Sequence, residues 1–311
     1  MMTRSVTRFI VYLAFGVGLG SVALLLLPHL IAPDLPHRGR ELAFLSFNVE
    51  QRMWEVRRFD VASGLSMGVA LPNIDPGTLS WSPDGRYLLA TVGSTGREIM
   101  RVDLENGEMQ RLPGLGERDQ MPVWSPDDRL IAFVSSPDTD PIGRPSLYVM
   151  NTDGEDVRRL TDSDGSDVSP TWSPDGSRIA FVSDRQRANG IYTVPAAGGS
   201  LPTRLTDNSL VSFAMPAWSP AGDRLAFVSR KGAAHVNVYT LDIASGTLTQ
   251  LTRGSFVDTA PAWSPDGESL VFISNRFNPN GAQLFIMDAD GTGLRMLEGG
   301  YVAAGSPAWR P

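Results

Sequence analysis

Cysteine is absent from this 311-residue chain. That excludes disulfides, thiolate metal sites and cysteine nucleophiles, and leaves the redox compartment unmarked. Histidine is nearly as scarce: His29 and His37 stand before residue 40 and His235 is alone beyond them, so no histidine cluster can hold zinc or a transition metal. Basic charge is short as well. The net charge is −7, and without Arg4, Arg8, Asp34, Arg38 and Arg40 the part from Glu41 onward keeps 23 basic against 33 acidic residues. Such a surface repels phosphate backbones, so nucleic acid is not an expected partner. Helical periodicity is scarce after residue 40, whereas Gly and Pro together make up 54 residues, as expected where turns recur about every 8–12 positions.

Long apolar runs are also missing, with one exception. Residues 9–32 (FIVYLAFGVGLGSVALLLLPHLIA) are 24 residues without Asp, Glu, Lys or Arg, long enough to span a hydrocarbon core as a helix. The expectation is one uncleaved transmembrane anchor over 9–32, after a basic segment 1–8 and before a proline-containing stalk 33–40. A cleaved export signal is the alternative, but its small-x-small site, Ser21-Val22-Ala23, would fall inside the apolar core. Arg4 and Arg8 ahead of the span favour a cytoplasmic N-terminus, with the rest of the chain outside the membrane. Gly16 and Gly20 have the spacing of a helix-pairing motif, or are small residues facing lipid.

From residue 41 to 311 one pentapeptide organises the chain. W-S-P-D-G stands intact at Trp81, Trp172 and Trp263, with one change at Trp124 (W-S-P-D-D) and Trp218 (W-S-P-A-G), and truncated at Trp309. The six tryptophans are 43, 48, 46, 45 and 46 residues apart, the period of a four-stranded propeller blade. Each repeat reads as a strand ending in Trp, a type I turn on Ser-Pro-Asp-Gly, and an apolar second strand such as 130–134. A third strand with an aromatic (Tyr148, Tyr192, Tyr239, Phe285) follows, and a last strand ends in Arg-Leu-Thr or a relative of it. Residues 42–72 supply second, third and fourth strands with no first, and the C-terminus supplies a first strand with nothing after it. The predicted fold is therefore an all-β, six-bladed β-propeller of four-stranded blades, closed by both ends of the chain in one composite blade.

The motif P-x-W-S-P-D-G followed by an apolar strand, an aromatic strand and R-L-T resembles the WD-like propeller repeat of the TolB family, over residues 41–311. It also resembles the propellers of some tricorn-type and prolyl-oligopeptidase-type peptidases. The resemblance implies a propeller that binds partner proteins of the cell envelope. TolB itself is periplasmic and carries an α/β domain before its propeller, for which the stalk 33–40 is too short. Motif residues of this kind specify fold more than function.

Candidate chemistry is sparse. Gly64-Leu65-Ser66-Met67-Gly68 matches G-x-S-x-G but lies between two strands rather than at a strand-to-helix elbow, with His235 as its only downstream histidine. Asp162, Asp164 and Asp167 alternate as weak calcium ligands without the distal Glu of a calcium loop. Five residues before Trp stand Asp119, Asp167 and Asp258, with Pro76, Phe213 and Ala304 at the same place in the other repeats. Asp119, Asp167, Asp258 and Phe213 are the candidate partner or ligand residues, at the mouth of the central channel. They form either an acidic rim for a basic ligand or a set of loop-bonding carboxylates. Arg185 and Arg276 are expected to bond to a neighbouring loop or blade. Trp81, Trp124, Trp172, Trp218, Trp263 and Trp309 are assigned to structure. No cofactor, catalytic residue or other metal is assigned.

Three functions remain open at this point: a non-enzymatic, membrane-tethered propeller binding an envelope protein or cell-wall component; an accessory or gating propeller of a separate peptidase; and a lyase or hydrolase working in the channel.

Overall fold

The computed structural model describes residues 41–48, 53–69, 74–93, 97–116, 118–136, 143–162, 165–185, 189–206, 215–230, 235–277, 281–297 and 307–311. The expected anchor and stalk lie outside these, and among the described residues no helix is long and apolar enough to cross a membrane.

The described strands form six four-stranded antiparallel sheets, and one of them joins both ends of the chain. Blade I pairs Ala308–Trp309 with Glu41–Asn48, followed by Met53–Asp60 and Ser66–Val69. Blades II to VI follow in order, with inner strands Ile74–Trp81, Gln120–Trp124, Asp167–Trp172, Ala217–Trp218 and Asp258–Trp263. The expected composite blade is therefore present. Its closing strand is short, with the register Leu42 opposite Trp309 and Ala43 opposite Ala308.

Each blade is buried on both faces, which follows from the two-residue period of a strand. In blade III, Ile131 and Phe133 pack toward blade II, while Ala132 and Val134 pack toward blade IV. In the composite blade, Leu45 faces blade II and Phe44 faces blade VI. Six such interfaces make one continuous ring of core. The second-strand Phe pairs across the sheet with the third-strand aromatic in four blades, at ring-centroid distances of 5.7 to 6.0 Å for Phe133–Tyr148, Phe181–Tyr192, Phe227–Tyr239 and Phe272–Phe285.

The W-S-P-D-G residues divide the local work. The Ser hydroxyl donates to the Asp carboxylate two residues on, at 2.5 Å for Ser82–Asp84, Ser173–Asp175 and Ser264–Asp266 and 2.7 Å for Ser125–Asp127. The Ser oxygen also accepts the amide that opens the second strand, such as Tyr87 N at 2.8 Å. Gly85 takes φ of +70°, which Gly tolerates without cost. In blade V, where Ala221 replaces the Asp, Ser219 bonds instead to Asp223 at 2.7 Å, so the turn keeps its carboxylate from two positions further along. The Thr of Arg-Leu-Thr has an equally local role: Thr161, Thr206 and Thr252 hydroxyls accept third-strand amides of Leu147, Ile191 and Val238 at 2.9 to 3.0 Å.

In three blades the repeat Trp fastens one blade to the next. Its indole N–H donates to the carbonyl just before the Trp of the preceding blade: Trp172 to Val123 at 3.1 Å, Trp309 to Ala262 at 3.2 Å, and Trp81 to Ala308 at 3.0 Å. The Trp218 and Trp263 indole nitrogens are buried without a hydrogen-bond partner. Trp124 is diverted. The second Asp of W-S-P-D-D occupies the glycine position at φ 61° and accepts the Trp124 indole at 2.6 Å.

At the closure, the buried Glu41 carboxylate is shared by Arg58 and Arg310, with Arg310 Nη1 at 2.9 Å, and the Arg310 amide donates to the Glu41 carbonyl at 2.8 Å. One carboxylate thereby ties the first strand to the last.

Two expectations follow. Glu41→Gln, leaving two arginines short of their shared partner, should cost about 3 kcal/mol in denaturant unfolding, and removal of residues 306–311 should cost more; a midpoint unchanged in either variant contradicts closure by these contacts. The Asp175 carboxyl is held down to about 2 by the Ser173 hydroxyl, then by the Ser177 amide and hydroxyl. A carboxyl depressed on folding stabilises above its ordinary titration range and loses that contribution as pH falls toward 2. Asp175→Asn should therefore flatten the acid limb of the stability profile between about pH 4 and 2, read by melting temperature.

Candidate functional site

The inner strands do not pair continuously with their neighbours. Their registers break between Ile74 and Leu79, Gln120 and Val123, Val168 and Thr171, and Thr259 and Ala262. Three residues before Trp, the backbone enters the left-handed region without glycine: Met121 at φ 53°, Ser169 at 54°, Met215 at 39° and Ala260 at 51°. Each is followed by proline, which itself disfavours helical conformations, and strain of this kind costs about 1–3 kcal/mol per residue. All four line a cavity of about 650 Å³ together with Thr78 and Pro307, so that every blade contributes to its wall. This is the central channel. Its wall is mostly apolar, built from Pro, Ala, Met, Thr and Trp, and the Thr78 hydroxyl is buried there without a hydrogen-bond partner.

The acids five residues before Trp are placed differently from an open rim. Asp167 and Asp258 begin the inner strands of blades IV and VI and have no exposed surface. Arg185 Nη2 lies 3.0 and 2.9 Å from the two Asp167 oxygens, and Arg276 Nη2 lies 2.9 and 3.1 Å from those of Asp258. Each arginine is held further by its own blade. Nε donates to Ser183 at 2.9 Å or to Ser274 at 3.0 Å, and the guanidinium lies over the aromatic pair, 5.3 and 5.0 Å from Phe181 and Tyr192, or 5.3 and 4.9 Å from Phe272 and Phe285. The arginines expected to reach a neighbouring loop or blade thus bond within their own blade.

Asp119 is the exception in the series. It is 2% exposed, and its Oδ2 accepts the Leu115 and Gly116 amides at 2.7 and 3.1 Å. Its Oδ1 is buried with no hydrogen-bond partner. Burial pushes the carboxyl above the usual range, against the pull of the two amides and of the nearby Ser135 hydroxyl, which does not reach hydrogen-bonding geometry with Oδ1. The turn that supplies those amides comes so close that a Cβ on Gly114, at φ +48°, would collide with the Asp119 carboxylate. Phe213, Pro76 and Ala304, at the same place in the other repeats, fall outside what is described of side chains.

The remaining sequence candidates are separated. Asp162 is exposed and pairs with Arg159 at 3.3 Å, Asp167 is held by Arg185, and Asp164 lies outside the described residues. Ser66 opens the outer strand of blade I, where its hydroxyl accepts Arg57 Nε at 3.1 Å, while His235 precedes the third strand of blade V. The strand-to-helix elbow of a hydrolase nucleophile is not the setting of Ser66.

Two features escaped the sequence reading. One is the channel wall, whose signal was the residue before each X-Pro-X-Trp proline. The other is the partnership of the acids, whose signal was Arg thirteen residues after Trp172 and Trp263 but Pro137 after Trp124. Arg276→Ala should leave Asp258 as a buried unpaired charge and cost about 3–5 kcal/mol in denaturant unfolding; a loss below about 1 kcal/mol, the value of an exposed pair, contradicts the assignment.

Among known proteins, the family model for the TolB beta propeller domain matches residues 139–210 and 206–311, together more than half of the chain. An uncharacterized protein of Agrobacterium fabrum (strain C58) is 33% identical over 84 residues, 27% of this chain and 27% of that protein, so the match spans about a quarter of the curated relative. The crystal structure of TolB from Acinetobacter baumannii superposes with a TM-score of 0.73 at 26% identity, covering 87% of this chain and 66% of that one. An oligogalacturonate lyase of Vibrio parahaemolyticus superposes with a TM-score of 0.55 at 17% identity over 78% of this chain and 76% of that chain, a likeness that shows the fold alone. The repeat, the ring of six blades and the matched family model agree: the chain belongs to the TolB beta-propeller domain family.

Proposed function

We propose that this protein is a non-enzymatic binding module of the cell envelope, anchored in the membrane through residues 9–32 and holding its propeller on the extracytoplasmic side. There it engages an envelope or membrane protein, or a cell-wall component, through the central channel and its mouth. The observation that carries this reading is the channel itself. A cavity of about 650 Å³ has a wall of Pro, Ala, Met, Thr and Trp side chains, whereas the nearby Asp167 and Asp258 are committed to arginines of their own blades. Such a wall suits burial of a ligand's apolar surface. General acid–base chemistry would require titratable groups open to a substrate. Family membership supports the binding role, and the apolar run 9–32 supports the anchor.

The test uses the full chain in its own membranes. Cross-linking followed by capture is expected to give one stoichiometric envelope partner, lost when the channel is narrowed by Thr259→Trp or Thr171→Trp in proteins that keep the parent melting temperature. Capture unaffected by both folded variants, or turnover of a substrate by the purified propeller, would overturn the reading.

A further inference from the structure

The three acids before the inner strands belong to one structural device that occurs in two states. In blades IV and VI it is complete: Asp, a Ser at the end of the second strand, an aromatic pair, and an arginine laid across them. In blade III the same receiving groups are present. Asp119 begins just before the inner strand, Ser135 ends the second strand in the position of Ser183 and Ser274, and Phe133 and Tyr148 stack at 5.7 Å like their counterparts. The position that corresponds to Arg185 and Arg276, residue 137, is Pro in the sequence, and among the described residues no arginine bonds to the Asp119 carboxylate.

We propose that blade III carries a receptor for a guanidinium group, in which Asp119 takes an arginine side chain of a partner protein into the place that Arg185 and Arg276 fill from within their own blades. The buried Asp119 Oδ1 has no partner, although Oδ2 is fully used by the Leu115 and Gly116 amides. Leaving a buried acceptor unmet costs about 1–3 kcal/mol, which an incoming donor recovers. Arginine fits better than lysine. In the sister blades one guanidinium meets the carboxylate through Nη2, the Ser hydroxyl through Nε, and two aromatic faces through its plane. A point-charge ammonium cannot satisfy all three. The sister blades also explain why one blade is different: only a blade lacking its internal arginine can receive one from outside. The inference deepens the reading of a binding module by naming the chemistry of one contact.

The test titrates the full-length protein with N-acetyl-arginine amide, with N-acetyl-lysine amide as the comparison, followed by melting temperature and calorimetry. The arginine probe is expected to give a saturable stabilisation, at least about tenfold stronger than the lysine probe, and weakened about tenfold or more by Asp119→Asn. Pro137→Arg supplies the missing guanidinium internally; it should raise the melting temperature without ligand and abolish the arginine response. That variant decides the matter if Asp119→Asn does not fold. A parent protein without saturable response overturns the proposal, as does a response that persists unchanged in both variants. Because this readout is independent of partner capture, a failed receptor with capture still channel-dependent would leave the binding-module reading standing.

Discussion

The structure depends on the closure of a ring whose blades have no stability of their own to spare. Each sheet presents two apolar faces, and each face is dry only if another sheet covers it. At three of the six blades the repeat Trp makes that covering directional, because the indoles of Trp81, Trp172 and Trp309 reach the carbonyl before the preceding blade's Trp. At the seam the same device operates with strands from opposite ends of the chain: Trp309 reaches blade VI, Trp81 reaches Ala308, and Glu41 holds Arg58 and Arg310 together. A short closing strand suffices because it carries the indole of Trp309 and the carbonyl of Ala308, and the Arg310 that follows it supplies the guanidinium.

The period made the architecture legible before any coordinates. Six tryptophans, a missing first strand at one end and a missing remainder at the other required a composite blade, and that blade is present. Other details were hidden for physical reasons. W-S-P-A-G looked like a turn that had lost its carboxylate, but Asp223 supplies it from two positions later, a substitution visible only in three dimensions. The acids before the inner strands were visible as a series, but their partners lie 18 residues away, just past the end of the adjacent strand, so the pairing of Asp167 with Arg185 and Asp258 with Arg276 depends on strand register rather than local spacing. The strained residues of the channel wall carry no side-chain signature beyond the proline that follows each of them.

These details change where function is sought. The pentapeptide, rich in Trp and Asp, builds turns and blade contacts, and its carboxylates are engaged by neighbouring hydroxyls and amides. The channel and the start of the inner strands hold what the fold does not use up: a strained, apolar wall, the unpartnered Thr78 hydroxyl, and the unmet oxygen of Asp119. Buried polar groups without a partner occur elsewhere in the ring too, but the Thr78 hydroxyl is one that lines the channel, where another molecule can reach it.

The most direct measurement is hydrogen–deuterium exchange of the full-length protein in membranes, alone and with its captured partner. The account predicts new protection at the starts of the inner strands and the loops before them, at residues 115–121, 165–169 and 256–260, with the outer strands unchanged. Protection confined to the outer strands around residues 158–159, 203–204 and 248–250, with the channel mouth unaltered, would contradict it.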